Sequence, residues 1–486
     1  MSVRVRMAPS PTGEYHIGHI RTVLYNWAFA KKEEGTFVIR IEDTDRERFV
    51  EGAADRILAV ISLYGLDWDE GPNKGGSFGP YTQSKRLDLY KDYAENLVEQ
   101  GDAYYCFCTK ERLSDLRKQQ REQGIPPKYD KKCLGLSKDA VKERLEAGES
   151  HVIRLNVPEN RDITFSDVVY GDITVNTNDI DDQVLLKSDG FPTYHLAVVI
   201  DDHLMEITHI MRGMDWIPST PKHVLLYEAF GWDLPIYAHL PNIKELGGSK
   251  KLSKRFGSVY AIEFLKEGYL SEALLNFLMF LGWNPGTEKE IYTLEEFIED
   301  FSLEDVHKTD LVAFDRKKLL WMNGQYIRNL ETKDLWQKLK EWSERFEIDL
   351  GVGEISEEYI LQALSLVQTR MKLLPDFMER TTYFFKEPEI PVELLTKYAK
   401  SPERTKEILE KFIDLYEGVK EWSVEILDQT SHELIEKHDY SPKEAFMTVR
   451  VAISGRKATP PLFDMLGLIG KEKSVNRLKE SLKLLE

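Results

Sequence analysis

The first candidate for chemistry is a pair of histidines around a glycine near the start of the chain. His16, Gly18 and His19 lie in the stretch EYHIGHIRTVLYNWAFA, between an apolar strand and a helical pattern. A helix start offers unpaired N–H groups and a positive dipole end, which suit a phosphate, and glycine lets a ligand approach the backbone closely. The imidazoles would donate to phosphate oxygens, although histidines that only cap the helix fit the same four residues.

A second candidate is the basic segment KKLSKR, residues 250–255, which follows the sequence Gly-Gly-Ser. Glycines beside a basic cluster favour a loop that closes over an anion, and Lys251 and Lys254 are the cations that it would bring. A solvated basic loop is the alternative, so this segment is weak evidence when it is taken alone.

The elements that must position these residues can be predicted from the spacing of apolar side chains. Residues 3–7 alternate as a strand does, and prolines and a glycine then interrupt the pattern. Apolar residues at helical spacing predict a helix over Ile17–Lys32, and residues 37–41 predict the next strand. Strand, helix and strand in this order indicate a parallel βαβ crossover. Further helices are predicted at 53–64 and 86–100.

Length and composition indicate a soluble, cytoplasmic protein of roughly two to four domains. The chain has 486 residues, of which 42% are hydrophobic and 30% charged. We find no apolar run long enough to span a bilayer and no secretory leader, and three cysteines do not predict a disulfide framework. The net charge of −18 argues against nucleic-acid binding. Locally basic stretches at 110–132 and 471–483 nevertheless leave nucleic-acid binding open, although each stretch could also be a solvated helix face.

In this order and at this distance in sequence, HIGH and KLSKR are the pair of motifs found in class I aminoacyl-tRNA synthetases. The chain further resembles the bacterial glutamyl-tRNA synthetases along nearly its whole length, although the C-terminal half matches in helical pattern more than in residues. The segments that carry the resemblance are RMAPSPTGEYHIGH (6–19), FVIRIEDTD (37–45), LDWDEGP (66–72), GPYTQSKR (79–86), LLKSDGFPTYHLAVVIDDHLM (185–205), STPKHVLLYEAFGW (219–232), KLSKR (251–255) and WMNGQYIR (321–328).

The resemblance implies an α/β fold with a class I Rossmann-type catalytic domain, an inserted α+β acceptor-binding domain, a stem-contact region and an all-α C-terminal anticodon-binding region. Charged helical stretches that begin at Tyr105, and apolar α/β patterning that returns near Gln183, agree with such an insertion. The expected ranges are 1–104 and 186–240 for the catalytic domain, 105–185 for the insertion, 241–323 for the stem-contact domain with the KLSKR loop, and 324–380 and 381–486 for two helical anticodon-binding subdomains.

The reaction that the resemblance implies is ATP-dependent activation of L-glutamate, followed by transfer of the glutamyl group to the 3′ end of tRNA-Glu. Mg²⁺ accompanies the ATP, and in this branch tRNA usually binds before the amino acid is activated. The carboxylate is already a nucleophile, so the protein has to align it with the α-phosphorus and stabilise charge on the leaving pyrophosphate. The residues expected to contact ATP, of which the histidines and lysines are expected to be catalytic, are His16, Gly18, His19, Lys251, Ser253 and Lys254.

Selection of glutamate over glutamine is a matter of charge, because the two amino acids are nearly isosteric. A guanidinium prefers the side-chain carboxylate and forms paired hydrogen bonds with it. An internal salt bridge is the alternative role for the second arginine, Arg212. By resemblance, the pocket consists of two acid-binding arginines, a tyrosine, the glutamate that faces the α-amino group and two small residues: Arg6, Arg212, Tyr194, Glu42, Ala8 and Ser10.

The cysteines form the pattern CxC–x24–C at Cys106, Cys108 and Cys133. Some members of the family hold a structural zinc there, with a fourth ligand two residues after the last cysteine. That position is Gly135, whereas structural zinc prefers four ligands. Three interpretations therefore remain open: three thiolates that recruit another residue as the fourth zinc ligand, a vestigial zinc site, or three free cysteines.

Contacts with tRNA are expected from the insertion at the acceptor end and from the helical tail at the anticodon loop, where arginines often read unstacked base edges. In some relatives an arginine separates tRNA-Glu from tRNA-Gln at the third anticodon base. The matching position here is Gln368, with Arg370 close by. We therefore expect the enzyme to charge tRNA-Gln as well, with an amidotransferase that would correct the product. A monomer is expected separately.

Three other functions can be weighed against this one. A smaller HIGH-type nucleotidyltransferase has no use for the roughly 230 residues after KLSKR. An inactive RNA-binding relative should have lost a motif or the acid-binding arginine, and a shortened paralogue that glutamylates a tRNA base typically lacks the anticodon domain.

The pair Asp201-Asp202 could also be a metal site, but a strand-end cap or packing motif is the stronger interpretation.

Overall fold

The computed structural model describes residues 2–248, 252 and 259–486, so the predicted ATP contacts Lys251, Ser253 and Lys254 lie outside the described residues. The chain divides into two compact units. Unit 1 comprises residues 1–263 and 274–316, and unit 2 comprises 264–273 and 317–486. Among the described residues, none of the helices combines the length and apolarity that a membrane span requires.

The strands of the described residues belong to unit 1. Six of them form one sheet in the order β2-β1-β8-β9-β5-β6, in which neighbours from β2 to β5 are parallel and β6 is antiparallel to β5. The others form the sheets β3-β4-β7 and β10-β11. The strands are β1 (Arg4–Met7), β2 (Thr36–Ile39), β3 (Ala103–Cys106), β4 (Val152–Leu155), β5 (Asp162–Asp167), β6 (Gly171–Asn176), β7 (Val184–Leu186), β8 (His209–Gly213), β9 (Ile236–Leu240), β10 (Asn242–Glu245) and β11 (Leu311–Phe314).

Helices are interspersed with the strands up to residue 316, and the rest of the chain is helical. The first ten are α1 (Ile17–Lys32), α2 (Ala53–Leu63), α3 (Leu87–Gln100), α4 (Lys110–Glu122), α5 (Lys138–Glu146), α6 (Tyr194–Leu204), α7 (Thr220–Phe230), α8 (Ala261–Lys266), α9 (Ser271–Met279) and α10 (Leu294–Asp300). They are followed by α11 (Arg316–Asn329), α12 (Thr332–Phe346), α13 (Glu357–Gln368), α14 (Asp376–Phe385), α15 (Val392–Thr396), α16 (Pro402–Gly418), α17 (Val424–Lys437), α18 (Pro442–Ser454), α19 (Leu462–Ile469) and α20 (Lys471–Lys483).

The predicted βαβ crossover is confirmed. Strands β1 and β2 pair in parallel, with Arg6 opposite Val38, and α1 has the predicted bounds. Most residues of α1 are buried, because this helix packs in the interior of the unit. A Cβ at Gly35, where the chain turns back into β2, would lie 2.4 Å from the carbonyl oxygen of Val3, so the turn requires glycine.

The position of the site follows from the strand order. Strand β2 lies on one side of β1, and β8 lies on the other. In a parallel sheet, a change of winding direction between two neighbouring strands opens a crevice beyond their carboxyl ends. Arg6 on β1 and Arg212 on β8 are thus on the two strands that border this crevice.

The range 105–185 is divided between two sheets. Strand β4 pairs with β3 on one side and with β7 on the other, whereas the β5–β6 hairpin extends the main sheet through the pairing of Asp167 with Tyr237 on β9. The hairpin therefore joins the predicted insertion to the catalytic sheet.

Unit 2 is helical, as the sequence predicts, but α11 begins at Arg316, before the expected boundary at 324. Two apolar clusters hold the unit together. One includes Leu335, Trp336 and Phe377, and the other includes Phe412 and Val449.

Candidate active site

His16 is the N-cap of α1. Its Nδ1 accepts the backbone N–H of Gly18 at 3.0 Å, which places the proton of the neutral ring on Nε2. His16 therefore caps the helix, as the sequence allowed. With Nδ1 as the acceptor, Nε2 is the donor of the ring. A Cβ at Gly18 would meet that Nδ1 at 3.2 Å and a methyl group of Ile243 at 3.5 Å, so a larger residue would crowd this turn. His19 is exposed on the first turn of the same helix.

One described residue within the lysine-rich segment and two that follow it lie close to this histidine motif. The N–H of Leu252 donates to the carbonyl of Ile243 at 2.9 Å, and β10 carries Ile243. After the loop, the N–H of Ile17 donates to Val259 O at 2.8 Å, and Tyr260 forms an antiparallel bridge with His16. The chain that leaves the loop is thus hydrogen-bonded to the histidine motif itself.

The first predicted acid-binding arginine, Arg6, is already paired within the fold. Its Nε and Nη2 donate to the two carboxylate oxygens of Asp202 at 3.0 and 3.2 Å, and both side chains are almost fully buried. Burial opposes the charged form, yet Asp202 raises the pKa of Arg6 above its ordinary value. Any contact of Arg6 with a substrate would therefore use its remaining N–H groups.

The acidic pair Asp201-Asp202 lies in α6, so the strand-end position suggested by the sequence is wrong. Each carboxylate is buried against arginines: Asp202 accepts from Arg6, and Asp201 accepts from Arg86 Nε at 2.8 Å. Arg40 reaches both, at 3.6 Å from Asp201 and 2.8 Å from Asp202. These ion pairs explain the two aspartates as part of the packing, without a metal.

Arg212 differs from Arg6 in having only neutral partners. Its guanidinium donates to Tyr194 Oη at 3.2 Å, Thr220 Oγ1 at 2.9 Å and His239 Nε2 at 3.1 Å, and the residue is 6% exposed. Among the described residues, no carboxylate forms an ion pair with it. A buried, unpaired guanidinium is costly to the fold and suited to an anionic ligand. The salt bridge considered as its alternative role is thus not observed.

Glu42 follows β2 and is 4% exposed. Its Oε1 accepts from Arg40 Nη2 at 2.9 Å. Burial raises the pKa of Glu42 to about 7, although Arg40 opposes the rise. Ala8 and Ser10 follow β1, where Ala8 is half-buried and Ser10 is exposed.

Comparison with known protein families identifies this arrangement. Residues 2–321 match the catalytic domain of tRNA synthetases class I (E and Q), and residues 328–482 match an anticodon binding domain. The chain belongs to the class I tRNA synthetases of the E and Q type. The family membership and fold class that the two motifs indicated are therefore confirmed.

Individual members of this synthetase family are similar over the whole chain. The glutamate–tRNA ligase of Clostridium botulinum (strain Eklund 17B / Type B) is 43% identical, and the alignment covers 100% of this chain and 99% of that protein. The enzyme of that name from Clostridium tetani is also 43% identical, over 98% of this chain and 96% of its own. A crystal structure of a glutamate tRNA ligase from Elizabethkingia meningosepticum, in complex with its amino acid, matches with a TM-score of 0.91 at 36% identity and covers 100% of both chains.

The three cysteines of this synthetase converge, and a tyrosine lies among them. The Sγ atoms of Cys106, Cys108 and Cys133 are all within 4.8 Å of one another. Tyr129 Oη is 3.3 Å from Cys106 Sγ and 3.3 Å from Cys108 Sγ, and it accepts the N–H of Cys133 at 3.1 Å. Gly135 is exposed and has no donor side chain. The sequence missed Tyr129, although its spacing of four residues before Cys133 was a usable signal.

The anticodon-contact predictions fall on two unlike residues of unit 2. Gln368 is buried; its amide donates to Ile327 O at 2.9 Å and Leu330 O at 2.7 Å, and its carbonyl accepts from Thr332. Both N–H groups of the Gln368 amide are engaged in the fold, and the role of this position at the anticodon stays a prediction. Arg370 is exposed and donates to the carbonyl of Thr459.

Arg370 is one of four arginines near Tyr383, and the sequence did not single out the other three. Burial raises the pKa of the Tyr383 phenol, and four nearby arginines oppose that rise. None of the four forms an ion pair with a carboxylate in the part of the chain that the structure describes. The four are Arg370, Arg380, Arg450 and Arg456. We call this set the arginine cluster.

Proposed function

We propose that this synthetase is a glutamate–tRNA ligase, which activates L-glutamate with ATP and transfers the glutamyl group to the 3′ end of tRNA-Glu. The observation that carries the proposal is the buried guanidinium of Arg212, at the carboxyl end of β8, which has only neutral partners among the described residues. The side-chain carboxylate of glutamate would supply the missing negative charge, and the neutral amide of glutamine would not.

The remaining site residues take complementary roles in this proposal. The carboxylate of Glu42 would hold the α-ammonium group, while Arg6 would contribute the N–H groups that Asp202 does not use. His16 and His19 would donate to the phosphates of ATP at the start of α1, and Lys251 and Lys254 would neutralise the charge that develops on pyrophosphate. Mg²⁺ would arrive with the nucleotide.

Each unit would contact the tRNA. Residues 105–185 would meet the acceptor end, 241–323 the stem, and the helical ranges 324–380 and 381–486 the anticodon. The arginine cluster supports the last assignment, because unpaired guanidiniums in a chain of net charge −18 create a local site for phosphates and base edges. A cytoplasmic monomer is part of the same proposal.

Pyrophosphate exchange tests the proposed activity. Wild-type enzyme should exchange labelled pyrophosphate into ATP with glutamate and not with glutamine, each measured with and without tRNA-Glu. Exchange that appears only when tRNA-Glu is present would place activation after tRNA binding. Absence of glutamate-dependent exchange under every condition, or equal exchange with glutamine, would refute the proposal.

We also propose that the enzyme charges tRNA-Gln. With the amide of Gln368 turned into the fold, that position has no guanidinium or free amide to read the third anticodon base. Charging assays with purified tRNA-Glu and tRNA-Gln decide the matter. Rejection of tRNA-Gln would end this part of the proposal and leave the glutamate–tRNA ligase activity untouched.

A structural zinc fits the cysteine cluster. Three thiols and the phenol oxygen of Tyr129 together give the four donors that tetrahedral zinc prefers, so Tyr129 would replace the ligand absent at Gly135. Zinc would cross-link the loop that carries Tyr129 to the end of β3. Metal analysis of wild type, Cys133→Ser and Tyr129→Phe tests this assignment: about one zinc per chain is expected in wild type and less in both variants. Zinc-free wild type would refute it.

A further inference from the structure

The orientation of Arg212 depends on a residue that no motif includes. His239 on β9 is fully buried, and its Nε2 accepts the Nε–H of Arg212 at 3.1 Å. A guanidinium has no acceptor, so Nε2 must be unprotonated and the proton of the neutral ring must be on Nδ1. The imidazole therefore has a defined tautomer.

Asp167, at the end of β5, stabilises that tautomer. Its Oδ2 is 2.7 Å from His239 Nδ1 and also accepts the backbone N–H of His239 at 3.1 Å. Its Oδ1 accepts the N–H groups of Val169 and Tyr170 at 3.0 and 2.9 Å. With three backbone donors and one imidazole donor, the carboxylate has little rotational freedom.

The sheet register brings the three side chains into line. Arg212 on β8 is directly opposite His239 on β9, and Asp167 on β5 is opposite Tyr237, two residues earlier on β9. Residues two apart on a strand point to the same face, so Asp167, His239 and Arg212 lie side by side at the carboxyl ends of three adjacent strands.

The imidazole of His239 separates the Asp167 carboxylate from the Arg212 guanidinium, which matters for a site that must bind an anion. A carboxylate in direct contact with Arg212 would pair with it and compete with the substrate, as Asp202 pairs with Arg6. Burial, the largest effect, and Arg212 lower the pKa of His239, although Asp167 raises it. A neutral imidazole thus transmits the orientation set by Asp167 without neutralising the guanidinium.

We propose that His239 and Asp167 are positioning residues that set the specificity of this synthetase for glutamate by orienting Arg212. The inference rests on the proposed function, because it assigns Arg212 to the side-chain carboxylate of the substrate. Neither positioning residue touches the substrate; both act through the guanidinium.

Two substitutions at His239 separate its two hydrogen bonds. His239→Asn keeps a donor near Asp167 and removes the acceptor for Arg212, whereas His239→Gln keeps an acceptor at the far end of the side chain. We expect His239→Asn to raise KM for glutamate about 10- to 100-fold and to reduce the preference for glutamate over glutamine by a similar factor, with KM for ATP unchanged. His239→Gln should recover most of the loss.

Asp167→Asn tests the tautomer of His239 by changing the group that faces its Nδ1. An amide N–H facing Nδ1 favours the ring with its proton on Nε2, which would then meet the Nε–H of Arg212 donor to donor. The same rise in KM for glutamate is expected. This variant also decides the question if His239→Asn does not fold, as judged by thermal unfolding.

The matched control is His209→Asn, at the opposite end of β8, where the ring contacts Thr208 and Phe29. It should leave the ratio of glutamate to glutamine activation unchanged. If the wild type is active and the His239 and Asp167 variants have the same KM for glutamate and the same selectivity as the wild type, only the positioning role is overturned. A wild type without glutamate-dependent exchange would instead overturn the proposed function.

Discussion

Replacing Arg212 with methionine should remove the preference for glutamate while leaving the protein folded. Methionine keeps much of the length of the side chain and removes the charge. Each hydrogen bond between a guanidinium and a carboxylate contributes roughly 1.5–3 kcal/mol, so loss of a paired contact removes about 3–6 kcal/mol. At about 1.4 kcal/mol per tenfold change, kcat/KM for glutamate should fall by about 10²- to 10⁴-fold.

The cost to stability should be small, because Arg212 makes no ion pair among the described residues. Its loss removes hydrogen bonds to four neutral groups, and it also removes a buried charge whose desolvation opposes folding. Arg6→Met is the contrasting variant. It leaves the buried Asp202 with Arg40 alone, and we expect that to cost roughly 3–5 kcal/mol of unfolding free energy.

The assay compares glutamate- and glutamine-dependent pyrophosphate exchange in wild type and Arg212→Met, with urea unfolding of both proteins and of Arg6→Met. Two results would refute the reasoning. Retained selectivity in Arg212→Met would show that the unpaired guanidinium does not read the acid. A large stability loss in Arg212→Met with none in Arg6→Met would show that the ion-pair assignments are reversed.

Three further predictions concern other parts of the site. Because burial raises the pKa of Glu42 to about 7 and only its ionised form attracts the α-ammonium, KM for glutamate should rise as pH falls from about 8 to about 6, and Glu42→Gln should abolish that dependence. Lys254→Ala should slow single-turnover adenylate formation by about 10²-fold or more while glutamate binding stays near wild type; an unchanged rate would remove the loop from the mechanism. Arg456→Gln should weaken tRNA binding and reduce its salt dependence, measured by filter binding across salt concentrations, with unaltered glutamate affinity as the internal control.

The elements near the start of the chain could be predicted because their signals are local. Helix α1 has apolar residues at helical spacing and a capping histidine before it, and β1 precedes it as a short alternating run. For Asp201-Asp202 the sequence allowed a strand-end cap or a packing motif, and the run before the pair is apolar and partly β-branched. A buried helix gives the same composition, and periodicity does not separate the two cases over so few residues.

The partners of the site residues could not be predicted, since they come from distant parts of the chain. His239 and Asp167 reach Arg212 only through the pairing of β5, β9 and β8, which the sequence does not encode locally. Gln368 is a further case, since its amide donates to the carbonyls of Ile327 and Leu330, which lie 41 and 38 residues earlier in the chain.

The charge balance of the crevice shows why partners matter more than residue types. Three buried arginines are matched by three buried carboxylates through direct ion pairs, so this group carries no surplus charge when all are ionised: Arg6, Arg40 and Arg86 with Glu42, Asp201 and Asp202. Arg212 is additional and has only neutral partners among the described residues. A substrate with a carboxylate at the end of its side chain supplies the negative charge that pairs with Arg212. An amide leaves the buried guanidinium unpaired, so the binding free energy is less favourable for the wrong amino acid. Discrimination in this pocket therefore follows from the one arginine that the fold leaves unmatched, not from the number of arginines it contains.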